Sequence, residues 1–214
     1  DINSITNDYW VGAGTVGDIS RTSFRATESR FNTKYVHGDI TGFIELDFHG
    51  GGGNEIVSNS ASPRLRHAFI KYKNILVGQT WSTFVNTSAL AEAADFAGPL
   101  NAAAFIRQGQ VRYTHGNFQV AIENPESDKG DPSQDKMPDV IAKYTFKGDW
   151  GNVSVAGLAR QLNTVGGNSE SAFGYGIAGK INTFGKDDIR FQLHGGETGR
   201  YVGVVAARDL VGEE

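Results

Sequence analysis

The chain has no cysteine among its 214 residues. That excludes a disulfide scaffold and a thiolate zinc site. It has no run of 18 or more apolar residues, which excludes a transmembrane helix. It has no surplus of positive charge: 20 Lys and Arg against 24 Asp and Glu give a net charge of -4, so nucleic-acid binding finds no support. A basic stretch followed by an apolar one is missing from its first residues, so any export signal is expected to have been removed. The five histidines are scattered with no i,i+4 pair, and no metal site is expected. No Ser/His/Asp set or carboxylate dyad stands out, so neither catalysis nor a cofactor is expected. Gly12-Ala13-Gly14-Thr15-Val16-Gly17 spells the dinucleotide fingerprint, but no helical period follows it, and a phosphate site needs that helix. Asp128, Asp131 and Asp135 crowd one connection yet lack the glycine and closing glutamate of a calcium loop.

What the chain does have is alternation. Five short turns recur: His37-Gly38-Asp39, Lys73-Asn74, His115-Gly116-Asn117, residues 147–151, and Gly185-Lys186-Asp187. Each is bracketed by segments of period two, and longer polar connections lie between them. Aromatics flank every turn: Tyr35, Tyr72, Tyr113 with Phe118, Phe146 with Trp150, and Phe184. A meander with tight links at one end and long loops at the other is the pattern of an outer-membrane β-barrel. A row of aromatics at one level fits a membrane–water interface, because each ring is apolar while the OH or NH stays wet. A mean hydropathy of -0.33 does not argue otherwise, since a barrel strand has only one apolar face. The predicted fold is all-β, an antiparallel transmembrane β-barrel meander of about ten strands, with a further strand beginning near Tyr201.

Period two also assigns the faces. Ile40, Gly42, Ile44, Leu46 and Phe48 point one way, and Thr41, Phe43, Glu45, Asp47 and His49 the other. Likewise Val140, Ala142, Tyr144 and Phe146 oppose Ile141, Lys143 and Thr145. Leaving out strand ends, the face opposite the apolar residues carries Arg30, Lys34, Arg64, Arg66, Arg112, Lys143, Arg160, Lys180 and Arg190. Its acids are Glu45, Asp47 and Glu123; other acids gather in the connections. A net acidic chain would thus enclose a net basic wall, which enriches small anions. Parity is weakest at Arg25, Arg64 and Arg66, where the strand limits are unclear. Arg107 falls on the apolar face and is expected above the membrane.

The connection over residues 80–104 is long, rich in alanine and less polar than an exposed loop. It is expected to fold into the lumen as a constriction, with Ser88 capping a helical turn through Glu92. Glu92 and Asp95 would then face the strand-borne arginines. Two other readings share the alternation: a soluble β-sandwich binding glycans through Trp81, Trp150 and nearby tyrosines, and a non-conducting structural or adhesin barrel.

Several runs resemble the DcaP-like outer-membrane porins. They are Glu28-Ser29-Arg30-Phe31-Asn32, Phe43-Ile44-Glu45-Leu46-Asp47-Phe48, Pro63-Arg64-Leu65-Arg66-His67-Ala68-Phe69 and Val77-Gly78-Gln79-Thr80-Trp81-Ser82-Thr83-Phe84. Gln110-Val111-Arg112-Tyr113-Thr114, Glu123-Asn124-Pro125-Glu126 and Lys147-Gly148-Asp149-Trp150-Gly151 fit as well. The resemblance implies a homotrimeric 16-stranded diffusion channel of the Gram-negative outer membrane. Lipid and lipopolysaccharide would meet its outside, and small organic anions such as dicarboxylates would pass through it. It implies that the loop after Trp81 is the constriction loop. It also makes Arg30, Arg64, Arg66, Glu92, Asp95 and Arg112 candidate pore residues. Against that pattern the 214 residues read as one partial barrel domain, with strands expected before Asp1 and after Glu214.

Overall fold

The computed structural model of the protein describes residues 24, 26–51, 53–54, 58, 60–92, 103–127, 133, 135–164 and 166–202. Ten strands form one antiparallel sheet in which neighbours in sequence are neighbours in space. They are β1 (Phe31–His37), β2 (Ile40–Asp47), β5 (Arg64–Tyr72), β6 (Ile75–Trp81), β7 (Arg107–His115), β8 (Phe118–Glu123), β9 (Asp139–Gly148), β10 (Gly151–Asn163), β11 (Ser169–Asn182) and β12 (Asp188–Gly196). A two-residue pair, β3 (Gly53–Asn54) with β4 (Ser60–Ala61), stands apart in the connection between β2 and β5. All five predicted turns join consecutive strands at one end of the sheet. The opposite end carries the long connections with one exception: β10 and β11 are joined by residues 164–168 alone. At Tyr201, near which a further strand is expected to begin, the chain forms a single helical turn, Gly199–Val202, and residues 203–214 lie outside the described residues.

The two faces differ as the alternation predicts. Ile44, Ile70, Val77, Val111, Ile122, Tyr144, Val155, Tyr175 and Leu193 are large, apolar and exposed, on one side of successive strands. The turn-flanking aromatics Tyr35, Tyr72, Tyr113, Phe118, Phe146, Trp150 and Phe184 are exposed as well. The other face carries the polar residues, and there Asp47, Arg66, Thr80, Gln108, Gln110, Glu123, Lys143, Ser154 and Arg160 are buried. This is a soluble protein's arrangement turned inside out. An exposed apolar belt that continues from strand to strand needs a covering of its own, and hydrocarbon provides one.

One irregularity decides where two arginines point. Counting back by twos from Tyr72 and Ile70 on the apolar face would put Arg66 and Arg64 on that face too. In the pairing of β2 with β5, however, Glu45 faces His67 and Leu46 faces Leu65, so Arg66 is an extra residue. Such a bulge shifts the alternation by one residue. Arg64 then pairs with Asp47 on the polar face, while Leu65 stays exposed with Ile70. The Gln79 side chain of β6 donates to the Leu65 carbonyl at 2.9 Å, satisfying an oxygen that the ladder leaves open there.

Gly151 opens β10 at a φ of +120, where an added Cβ would lie 2.1 Å from the Lys180 carbonyl oxygen of β11. Gly109 has open space at the same position and no positive φ. Gly151→Ala is therefore expected to destabilise the fold by about 1–3 kcal/mol, the usual range for a strained backbone site. Gly109→Ala should leave it unchanged. Urea unfolding of the two variants in detergent measures the difference.

Candidate functional site

The polar face is not bare. After Trp81 the chain leaves β6 and runs across it. Phe84, Val85 and Ala89 are buried, and Phe84 and Val85 share an apolar cluster with Ala104, Ile141, Ala156 and Leu158. Strand after strand contributes a polar contact to this crossing. On β7, Arg112 donates to the Thr83 hydroxyl at 2.8 Å and to the Trp81 carbonyl. On β8, Glu123 accepts the Thr83 amide at 2.7 Å. On β9, Lys143 donates to the Val85 carbonyl at 2.9 Å. Asn86 then spans β10 and β11: its amide nitrogen lies 3.0 Å from the Asn152 side-chain oxygen, the Ser154 hydroxyl and the Ala178 carbonyl. On β12, Gln192 donates to the Ala89 carbonyl at 3.4 Å, and Arg190 donates to the Leu90 carbonyl at 2.7 Å and to Glu92 at 2.6 Å.

The helical turn expected here differs in cap and length. It is a 3-10 turn over Thr87–Ala89, and its cap is Asn86, whose side-chain oxygen accepts from the Ser88 amide at 3.1 Å. Asn86 wins because one side chain caps the turn with its oxygen and grips two strands with its nitrogen. Ser88 instead gives its hydroxyl to Asn86 at 2.6 Å and Asn152 at 2.9 Å.

The expected site residues fall into clusters, and most of the cations are compensated. Asp47 is fully buried and receives Arg64 at 2.9 and 2.7 Å and Arg66 at 3.0 Å. Arg66 also donates to Glu45 at 2.7 Å, while His67 beside it lies 2.9 Å from the Thr80 hydroxyl. Lys180 and Arg190 both pair with Asp188, at 3.0 and 2.7 Å. Arg160 lies 3.4 Å from Asp139 and donates to the Glu126 carbonyl at 2.8 Å. Lys34 sits on the polar face of β1 opposite Phe43, and Arg30 lies exposed just ahead of that strand. Arg107 stacks on the Trp81 ring at 4.6 Å. Asp95, Asp128 and Asp131 lie outside the described residues, as does the Gly12–Gly17 motif; Asp135 accepts from Ser127 and Asn163 at 2.6 Å.

The picture of strand-borne cations opposed by only three acids therefore needs correcting. Asp139 and Asp188, the first residues of β9 and β12, also lie on the polar face. Leaving out strand ends hid them, and hid Lys71 and Lys147 too. Lys71 pairs in register with Thr41 and Leu76, and Lys147 with Asn152, so both lysines share the polar face. Lys34, Lys71 and Lys147 are exposed, and none of them forms an ion pair among the described residues. Tyr201 was missed as well. It is fully buried, donates to Asp139 at 2.6 Å and accepts from Gln108 at 3.0 Å. Burial first, and then the charges of Asp139 and Glu123, push its phenol well above the usual range, so it remains a donor.

An antiparallel meander with an exposed apolar belt on one face and buried charges on the other, crossed there by a chain segment, defines a protein of the outer membrane. The family model for the DcaP outer membrane protein matches residues 18–209. The chain belongs to that family. Among solved structures, the crystal structure of the outer membrane channel DcaP of Acinetobacter baumannii matches with a TM-score of 0.68 at 23% identity. The match covers 79% of this chain and 52% of that one, so the chain spans about half the length of the channel. None of the curated proteins matches it.

Asp47 holds two arginines on the polar face, one of them buried. Asp47→Ala leaves Arg66 with Glu45 alone and Arg64 without its carboxylate, and a hydrogen bond to a charged group is worth about 1.5–3 kcal/mol, so it should lower the urea midpoint clearly. Arg64→Ala should cost much less, since the Arg64 side chain is 39% exposed and its loss leaves Asp47 paired with Arg66.

Proposed function

We propose that this chain forms part of the wall of a closed outer-membrane porin, 16-stranded and trimeric in the full protein, that lets small hydrophilic solutes diffuse passively. What supports the reading is the assignment of faces: an apolar belt fit for lipid, and charges and amides kept together on the opposite surface. Strand edges left unpaired in hydrocarbon would strand backbone NH and CO groups, so a sheet of this kind has to close. The polar face, from Arg30 and Lys34 beside Glu45 and Asp47 to Lys180 and Arg190, lines the aqueous path. The crossing segment that begins at Trp81 narrows it, with Glu92 held at Arg190. Lipid and lipopolysaccharide cover the outside. No energy source or cofactor is needed, because the gradient drives the flux.

The path prefers anions, and small organic acids are its solutes. The paired clusters contribute little to that preference, because Arg64 and Arg66 are balanced by Glu45 and Asp47, and Lys180 and Arg190 by Asp188 and Glu92. The exposed charge of this face that forms no ion pair among the described residues is that of Lys34, Lys71 and Lys147. A few positive charges on a low-dielectric wall suffice to enrich counter-ions. Planar bilayers holding the full-length protein under a potassium chloride gradient test this. The expected reversal potential is that of an anion-preferring pore. Replacing Lys34, Lys71 and Lys147 together by Gln should move it toward zero by more than half. A barrel that inserts and carries no current would instead be the plugged, structural kind, and an unchanged potential would remove the lysines from the account.

A further inference from the structure

Residues 197–202, which follow β12, do not run out into a surface loop. They leave Gly196 and turn back over the polar face, where Thr198 packs on Gly174 of β11 so closely that an added Cβ there would lie 2.4 Å from its methyl. Arg200 then reaches the Asn124 carbonyl beyond β8 at 2.6 Å and lies 3.7 Å from Asp139. Tyr201 ends on the far side, bonded to Gln108 of β7 and Asp139 of β9, with Arg160 of β10 over its ring at 5.6 Å. Residues 197–202 thus cross from β12 back to β7, opposite in direction to the crossing that begins at Trp81. The two meet. The Phe84 and Tyr201 rings are 5.4 Å apart at 62°, and the Phe105 amide donates to the Tyr201 carbonyl at 3.0 Å. Gly176 leaves room for this junction, since a Cβ on it would lie 2.9 Å from the Phe84 ring.

We infer that residues 197–202 are a second in-folded element of the channel, and that Tyr201 is the positioning residue that locks the two crossings together and sets the aperture. The sequence shows why this residue type is needed. The junction lies between an apolar cluster (Phe84, Leu158, Ala104, Ile141) and a buried acid, Asp139, that already carries Arg160. A tyrosine fills the first with its ring and reaches the second with its hydroxyl. Phenylalanine would pack but leave Asp139 and Gln108 without that partner, and a buried polar group left unmatched is costly.

The inference rests on the channel reading, and the experiment separates the two. Full-length wild type, Tyr201→Phe and Tyr201→Ala are reconstituted in planar bilayers, and single-channel conductance in potassium chloride is recorded with neutral polyethylene glycols of graded size. Tyr201→Ala should conduct about 1.5-fold or more above wild type and admit larger polymers, as a widened aperture requires. Tyr201→Phe should keep the mean conductance and add transitions between levels. Heat-modifiable migration on a gel reports whether each variant is folded. A folded Tyr201→Ala with wild-type conductance and polymer cut-off overturns the inference. A second measurement needs no disruptive variant. Since these 214 residues lack cysteine, Thr198→Cys introduces the single thiol among them, at a site only 6% exposed. A water-soluble maleimide should label it far more slowly than a cysteine placed at Lys147. Equal rates overturn the second crossing even if the wild type carries no current, an outcome that by itself would count only against the channel reading.

Discussion

The structure depends on one kind of interaction: strand-borne side chains hydrogen-bonding the main chain of a segment that lies across their sheet. A segment such as Trp81–Glu92, lifted off β6, carries carbonyls that no ladder satisfies. Each buried one costs free energy unless a donor reaches it. Arg112, Lys143, Gln192 and Arg190 supply donors in turn to Trp81, Val85, Ala89 and Leu90. These donors sit on three different strands, β7, β9 and β12, so the segment ties β7 to β12 across the width of the sheet as well as covering it. Cations suit the task because a long flexible stem can reach a carbonyl several ångströms above the strand, and a charged donor makes the stronger bond. The same choice explains how ionised side chains are tolerated in so buried a place.

Much of this was legible from alternation. Faces follow from period two, so Glu45, Asp47, Glu123, Lys143, Arg160, Lys180 and Arg190 could be placed without coordinates. The turns followed from Gly, Asn and Asp between alternating runs. What escaped was of three kinds. One is the bulge itself: Arg64 and Arg66 lie on the polar face as expected, but they reach it through a single extra residue, which leaves no mark in a period-two pattern. Asp139, Asp188, Lys71 and Lys147 sit at strand ends, where the limits are set by hydrogen bonding across the sheet and not by local composition. Asn86 and Tyr201 owe their roles to partners 66 and 62 residues away in sequence, Asn152 and Asp139. No local signal separates them from an ordinary polar loop residue and an ordinary aromatic.

The charge balance of the polar face follows from the same geometry. Arginine pairs readily with carboxylates because its planar fork offers parallel donors, and here Arg64 takes both oxygens of Asp47 while Arg66 bridges Asp47 and Glu45. A pair so closed presents a dipole to passing ions and little net charge. Lysine, a single strongly hydrated charge on a long stem, is left at the turn end of the face at Lys34, Lys71 and Lys147. On the proposed channel reading, arginine therefore serves mainly as structure in the wall, and lysine as the source of long-range potential.

That division bears on how the proposed channel can change its solutes without losing its fold. Residues that hold the crossings are tied to buried partners on other strands, and substituting one leaves a carbonyl or a carboxylate unsatisfied. The exposed lysines have no such partner among the described residues, so their replacement costs little stability. In the proposed channel, selectivity and architecture are thus carried by different side chains on the same face. On that reading the crossing that begins at Trp81 and the return that ends at Tyr201 set how much of the face is open to water, and the lysines set what sign of charge the open part attracts.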